Sequence, residues 1–112
     1  MSGTAIPDRG DAVWLDFALG SGHEQDGRRP ALVLSPRAYQ ERTGLALVCP
    51  VTRQAKGYPF EVALPAGFLP EGVVLADQVK SVDWRARRAS FIARVPEEVM
   101  RSVGGLIARL LP

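Results

Sequence analysis

Two polar stretches of the chain carry residues whose types and spacing could do chemistry. The first, "GHEQDGRRP", holds His23, Glu24, Gln25, Arg28 and Arg29. The second, "VTRQAKGY", holds Thr52, Arg53, Gln54, Lys56 and Tyr58. A carboxylate, guanidinium groups and a hydroxyl converging on one groove suit phosphodiester cleavage with a ribose 2′-hydroxyl as nucleophile. A base must take the 2′-hydroxyl proton. Cationic donors must stabilise the negative, phosphorane-like transition state. An acid must protonate the leaving 5′ oxygen. No metal-activated water is required, because the nucleophile belongs to the substrate.

Each of these residues also has a plainer reading. Glu24 and Arg29 could form a surface ion pair, which is worth little. Thr52 reads as a strand-end residue and His23 as a solvated loop imidazole. On composition and spacing alone, the solvated-loop reading stands ahead of catalysis. A further basic spot, "WRARR" from Trp84 to Arg88, sets arginines beside an aromatic ring. That mixture suits nucleic acid, through stacking and phosphate contact. Read alone, it is a charged turn beside a buried tryptophan.

Other chemistries find little support. The chain has one His and one Cys, without the paired spacing of zinc or calcium sites, so no metal or other cofactor is expected. Cys49 lies in the apolar "LALVC" and reads as a small buried hydrophobe. No glycine-rich phosphate loop precedes a helix.

The elements that must position these residues come from a chain of 112 residues, the size of one domain spanning 1–112. It is 46% hydrophobic and 23% charged, which supports a packed core and argues against disorder. No run of 18 apolar residues suggests a membrane span. The N-terminal "MSGTAIPDRGD" lacks the basic and apolar regions of a secretory signal, and the single Cys49 fits a reducing compartment. A cytoplasmic protein is expected. Net charge is only +2, but twelve of the fourteen basic residues are Arg. Arginine suits bidentate phosphate contacts. The same excess would follow from a GC-rich genome, and the two explanations stand level.

Residues 12–17 read as a first strand, 18–29 as a long loop, and 30–35 as a second strand with Pro30 at its start. "PRAYQERTG" makes one or two helical turns stopped by Gly44. A third strand covers 45–52, where Pro50 suggests an edge or a bulge, and a polar loop covers 53–59. "FEVAL", 60–64, alternates as a half-buried strand. Residues 73–84 form a strand with a break near Ala76 and Asp77, and a short strand follows around Phe91 and Ile92. The tail is an amphipathic helix with Pro96 at its first position and Glu97 and Glu98 at the positive end of its dipole. Gly104 and Gly105 inside it suggest a close packing contact. Many strands, one terminal helix and no βαβ alternation predict a small, strongly curved sheet or partial barrel.

The blocks "PDRGDAVWLDF", "GHEQDGRRPALVLSP", "CPVTRQAKGYPFEVALP" and "GVVLADQVKSVDWRARRA" together resemble the MazF/PemK family of toxin endoribonucleases, from about residue 7 to the end. The resemblance reverses the order of the two readings above. It implies a mainly β, SH3-like barrel with added helices, one of them C-terminal, working as a homodimer. It implies metal-independent, sequence-selective cleavage of single-stranded RNA, such as mRNA, to a 2′,3′-cyclic phosphate and a 5′-hydroxyl. It also implies a paired MazE-like antitoxin that blocks the RNA groove. By position, Arg29 and Thr52 match the family's principal catalytic residues, and Glu24 a further active-site acid. Lys56, Asp77, Gln78, Arg85 and Arg87 match positions lining the substrate groove. Asp16, His23, Gln25, Arg28, Arg53 and Tyr58 complete the candidate RNA-binding set. His23 stands where many members carry Ser.

Proton roles follow from chemistry. A guanidinium with a pKa above about 12 is a poor base at neutral pH. Arg29 is therefore assigned to transition-state charge and leaving-group protonation, Glu24 to the base, and Thr52 to a non-bridging phosphate oxygen. The alternatives are a non-catalytic toxin of the same fold that binds gyrase or another partner, and a plain SH3-like protein-binding module. Cleavage of RNA separates both from the first reading.

Overall fold

The computed structural model describes residues 5–17 and 27–111. The elements run β1 (Asp11–Asp16), β2 (Arg28–Val33), α1 (Arg37–Thr43), β3 (Leu45–Thr52), β4 (Glu61–Ala63), β5 (Val73–Leu75), β6 (Lys80–Asp83), β7 (Ser90–Arg94) and α2 (Glu97–Ala108). Hydrogen-bonded neighbours follow the order β4-β5-β3-β2-β1-β7, with β6 also paired to β3. Every described pairing is antiparallel. The expected barrel-like β fold with a C-terminal helix is therefore observed, with β4 and β7 at the two ends of an unclosed path.

The central strand β3 holds the curvature. Its first half pairs with β6, from Leu45↔Asp83 to Val48↔Lys80. Its second half pairs with β5, at Val51↔Val74 and Thr52↔Val73. The expected break at Ala76–Asp77 is thus a full change of strand. Pro50 falls between those two pairings, where β3 changes partner on that edge. This corrects the edge-or-bulge expectation while keeping its physics: a missing N–H is tolerated where the ladder is interrupted.

The pleat sends alternate residues to two cores. Ala12, Leu32, Cys49 and Val51 turn to one side, where α2 buries Val99, Met100 and Val103 against them. Val13, Leu15, Ala31, Val33 and Val48 turn to the other and pack around Trp84. Helix α1 ends where Gly44 takes φ 76° and returns its N–H to the Gln40 carbonyl at 2.9 Å. Gln40 itself is buried and fully satisfied. Its amide donates to the carbonyls of Pro7 (3.0 Å) and Ser35 (2.8 Å), and its Oε1 accepts from Ser35 Oγ at 2.8 Å. Trp84 Nε1 donates to its backbone carbonyl at 3.2 Å. That knot fixes α1 over the second core.

Three expectations need correction. Strand β2 begins at Arg28, so Arg28 and Arg29 stand on the ladder, and Pro30 lies inside the strand opposite Trp14. Proline fits there because β3 pairing starts only at Ala31↔Pro50, leaving Pro30 without a ladder partner on its second edge. Pro96 is the residue before α2 and not its first. Gly104 and Gly105 have no close neighbour: a methyl group at either would meet nothing within 4 Å. The structure supplies no packing reason for their cost of about 1 kcal/mol each relative to Ala. Among the described residues no helix is long and apolar enough to cross a membrane.

Candidate active site

The site lies at the open mouth of the β2–β3 ladder. The last paired residues there are Ala31 and Pro50. Carrying the same register two residues further sets Arg29 opposite Thr52. Both belong to the row that continues Val33, Ala31, Val48 and Pro50, beyond the point where that row is covered by core. Arg29 is accordingly exposed and Thr52 half-buried.

A cleft of about 340 Å³ opens beside this pair. Arg29, Thr52, Gln54, Lys56, Tyr58, Asp77 and Gln78 all line it, with Phe17, Phe60 and Lys80. Thr52 Oγ1 accepts the Gln54 N–H at 3.1 Å, which holds the hydroxyl at the strand end. Glu61 Oε2 accepts the Lys56 N–H at 2.9 Å and its Oε1 the Gly57 N–H at 3.0 Å. That carboxylate is spent on pinning the loop that presents Lys56 and Tyr58. Lys80 sits 5.7 Å from the centre of the Phe17 ring, a cation–π distance. The described wall carries Arg29, Lys56 and Lys80 against Glu61 and Asp77, a positive balance that favours an anion.

Gly72 holds Thr52 from behind. Its φ is 122°, and a methyl group there would stand 2.1 Å from the Thr52 carbonyl oxygen. Only glycine permits β5 to meet the end of β3 this closely. Gly72 was not singled out in the sequence. Its signal was a glycine at the entry to the apolar "VVL", the position where close backbone approach is common. Glu61 and Lys80 were missed as well. Glu61 lies in the alternating "FEVAL" and Lys80 in the strand expected over 73–84, where nothing in residue type set them apart from their neighbours.

The remaining candidates go elsewhere. Arg28 faces away from Arg29. It donates to Asp16 Oδ1 at 2.8 Å, to the Arg88 carbonyl at 2.9 Å and to Ser90 Oγ at 2.9 Å. Arg88, at φ 54°, donates from Nε to Asp16 Oδ2 at 2.7 Å. The Arg88 and Arg28 guanidinium groups hold the Asp16 carboxyl below the usual carboxylate range. Arg87 donates to the carbonyls of Asp16 (2.9 Å) and Phe17 (3.1 Å) and lines a separate hollow that shares Phe17 and Lys80 with the cleft. Arg85 lies over the Trp84 ring at 4.9 Å. Asp16, Arg28, Arg85 and Arg87 are thus absent from the cleft lining, and "WRARR" is a charged turn around a buried tryptophan. Arg53 lines a neighbouring groove. His23, Glu24 and Gln25 lie outside the described residues. Cys49 is enclosed, and burial pushes its thiol up to about 12, as an inert core residue requires. Among the described residues no group of three His, Cys, Asp or Glu side chains could hold a metal ion.

Comparison with known proteins bears on the family and the fold. Residues 8–111 match the family model described as PemK-like, MazF-like toxin of type II toxin–antitoxin systems. The chain is 55% identical over 95 residues to the endoribonuclease toxin MazF of Escherichia coli K12, covering 84% of this chain and 85% of that one. It is 36% identical over 108 residues to the endoribonuclease PemK of Escherichia coli, covering 93% and 81%. Among solved structures, a MazE–MazF crystal structure from Deinococcus radiodurans superposes with a TM-score of 0.91 at 56% identity, covering 96% of this chain and 97% of that one.

Proposed function

The chain belongs to the PemK-like, MazF-like family of type II toxin–antitoxin toxins, and from that premise we propose how its cleft cuts RNA. It is an endoribonuclease toxin. The substrate is single-stranded RNA, and the products are a 2′,3′-cyclic phosphate and a 5′-hydroxyl. The observation that supports this reading is the placement of Arg29 and Thr52 together on the wall of one cleft, which carries more cations than carboxylates among its described residues.

The scissile phosphate lies across Arg29 and Thr52. The guanidinium offers a planar fork to two phosphate oxygens and strengthens its hold as charge builds on them. The Thr52 hydroxyl, already accepting from Gln54, donates its own hydrogen to a non-bridging oxygen. Lys56 and Lys80 hold neighbouring phosphates, and Tyr58 and Phe17 offer rings on which bases stack. Glu24 takes the 2′-hydroxyl proton and Arg29 protonates the departing 5′ oxygen. The nucleophile is internal to the substrate, so the reaction needs no metal-bound water.

The protein works in the cytoplasm as a homodimer and is held in check by a MazE-like antitoxin. An acidic, aromatic-bearing antitoxin segment would satisfy the same cations and rings as RNA, so the two compete for one groove. A non-catalytic toxin on this fold is not favoured, since the relatives compared above are named endoribonucleases.

The test is incubation with a long single-stranded RNA in excess EDTA, followed by end mapping. Cleavage should persist at a short recurring sequence, leave cyclic phosphate ends, and slow as salt rises. Loss of cleavage in EDTA with recovery in magnesium would overturn the metal-independent route.

A further inference from the structure

Residues 53–60 join β3 to β4 and belong to no helix or strand, although Gln54, Lys56, Tyr58 and Phe60 stand on the cleft wall. Lys56 and Tyr58 are exposed. Side chains on such a connection meet a ligand at fixed places only if the backbone beneath them is anchored. At the near end, the Thr52 hydroxyl accepts the Gln54 N–H at 3.1 Å. Further along, Gly57 turns the chain at φ 78°. The consecutive N–H groups of Lys56 and Gly57 there converge on the Glu61 carboxylate, at 2.9 and 3.0 Å. The Glu61 N–H returns to the Tyr58 carbonyl at 3.2 Å. Successive N–H groups aimed at one point form a concavity that binds anions. The chain fills this one with its own carboxylate.

The anchor is itself well held. Glu61 opens β4 and pairs with Leu75 of β5. Strand β5 pairs in turn with Thr52, at Val73, and leads on to Asp77 and Gln78 of the cleft wall. The carboxylate thus ties the loop to the same ladder that places Thr52. We propose that Glu61 is a positioning residue for substrate binding: it fixes the turn at Lys56 and Gly57, so that the Lys56 ammonium and the Tyr58 ring meet the RNA at a set distance from Arg29 and Thr52. The proposal rests on the reading that RNA is cut in this cleft. It adds to that reading a residue that acts through the loop and not on the reacting atoms.

The sign of the effect separates position from charge. By charge alone, removing a carboxylate from the wall of a cleft that takes a polyanion would tighten binding. By position, it would loosen binding. Glu61→Gln keeps the side chain's size but leaves one uncharged accepting oxygen for two N–H groups, so both bonds weaken. Gly57→Val attacks the same turn from the other side. A β-branched residue does not readily hold φ 78°, and a Cβ there meets nothing within 4 Å, so crowding is not the cause.

The experiment is steady-state cleavage of one RNA substrate, with rates referred to folded protein. The variants are Glu61→Gln, Gly57→Val, the double variant Lys56→Met/Tyr58→Ala with and without Glu61→Gln, and Arg29→Ala. Glu61→Gln should raise KM about 10-fold, the order of one lost base or phosphate contact, with kcat within a few-fold of wild type. Gly57→Val should shift KM in the same direction. In the Lys56→Met/Tyr58→Ala background Glu61→Gln should add little, because the groups it positions are gone. An unchanged or lower KM in either Glu61→Gln or Gly57→Val would overturn the proposal. So would a KM rise of full size in the double-variant background, which would put the effect outside the two side chains. Arg29→Ala separates the two levels. If it cuts at the wild-type rate, the active-site assignment fails and the positioning role with it; if it is inactive and KM in Glu61→Gln is unchanged, the positioning role alone fails.

Discussion

Arg28 and Arg29 are neighbours on β2, and the structure puts them to different uses. Arg28 is gathered into the Asp16, Arg88 and Ser90 cluster that ties β1, β2 and β7 together. Arg29 stands at the β2–β3 mouth, on the wall of two grooves. Nothing in residue type separates them. The pleat does, by turning consecutive side chains to opposite faces of the strand. One face meets a carboxylate on the paired strand, at Asp16↔Arg28. The other runs past the last core residue and opens on the cleft. The first arginine ties strands together, and the second lines the cleft in which we propose that RNA is cut.

The largest expected effect comes from exchanging the roles. Arg29→Ala should lower cleavage by roughly 10²–10³-fold, the cost of removing one oxyanion donor, with the melting curve nearly unchanged. Thr52→Ala should fall sharply in rate as well. Arg28→Met should do the reverse: cleavage within a few-fold of wild type, and stability lower by about 1–2 kcal/mol from lost charge-assisted hydrogen bonds. Denaturant midpoints and initial rates on the same preparations measure both. If Arg28→Met loses cleavage as deeply as Arg29→Ala while remaining folded, the division between the two arginines fails.

Gly72 sharpens the comparison, because it links the frame to the chemistry. Gly72→Ala places a methyl group against the Thr52 carbonyl in a backbone conformation that only glycine adopts readily. The conformation alone costs about 1–3 kcal/mol. To relieve the collision, the end of β3 must shift, and Thr52 moves with it. We expect a lower denaturant midpoint together with a reduced kcat in the fraction that stays folded. A Gly72→Ala protein with wild-type kcat per folded molecule would show that Thr52 is not held through this contact.

Much of this was legible in the residues, and the failures share a cause. The strands, the strand change near Asp77 and the terminal helix follow from alternation, from glycine and from the apolar stripe of α2. Arg29 and Thr52 could be named together because each sits at a strand end beside a polar loop. Arg28, Arg85 and Arg87 could not be sorted from Arg29 by composition. Their partners are Asp16 with the Arg88 carbonyl, the Trp84 ring, and the carbonyls of Asp16 and Phe17. Four of these five contacts are tertiary and three are to backbone oxygens, which no spacing rule exposes. The neighbouring groove lined by Arg53 went unread because Trp14 and Glu71 reach one surface only when β1 and the segment before β5 flank the same ladder end.

The smallest effect tests the pinned end alone. Asp16 lies lower in pKa in the folded protein than its ordinary 3.8, first because Arg88 and then because Arg28 hydrogen-bonds its ionised form. The unfolded chain binds that proton more readily. The stability Asp16 contributes is therefore present above about pH 4 and is lost as pH falls through the depressed folded value. Asp8 and Glu97 are depressed too, Asp8 chiefly by backbone N–H donors and Glu97 by Arg9, so acid sensitivity of the wild type alone would not isolate Asp16. The difference between wild type and Asp16→Asn does, because the other carboxylates are common to both. At pH 7 the variant should be the less stable of the two. Below about pH 4 the gap should narrow as the wild-type carboxylate takes up its proton. Denaturant midpoints from pH 7 down to pH 2 give the curve. A gap that stays constant over that range would mean that the Asp16 charge does not hold β1, β2 and β7 together, and the contrast between the two arginines would then rest on geometry alone.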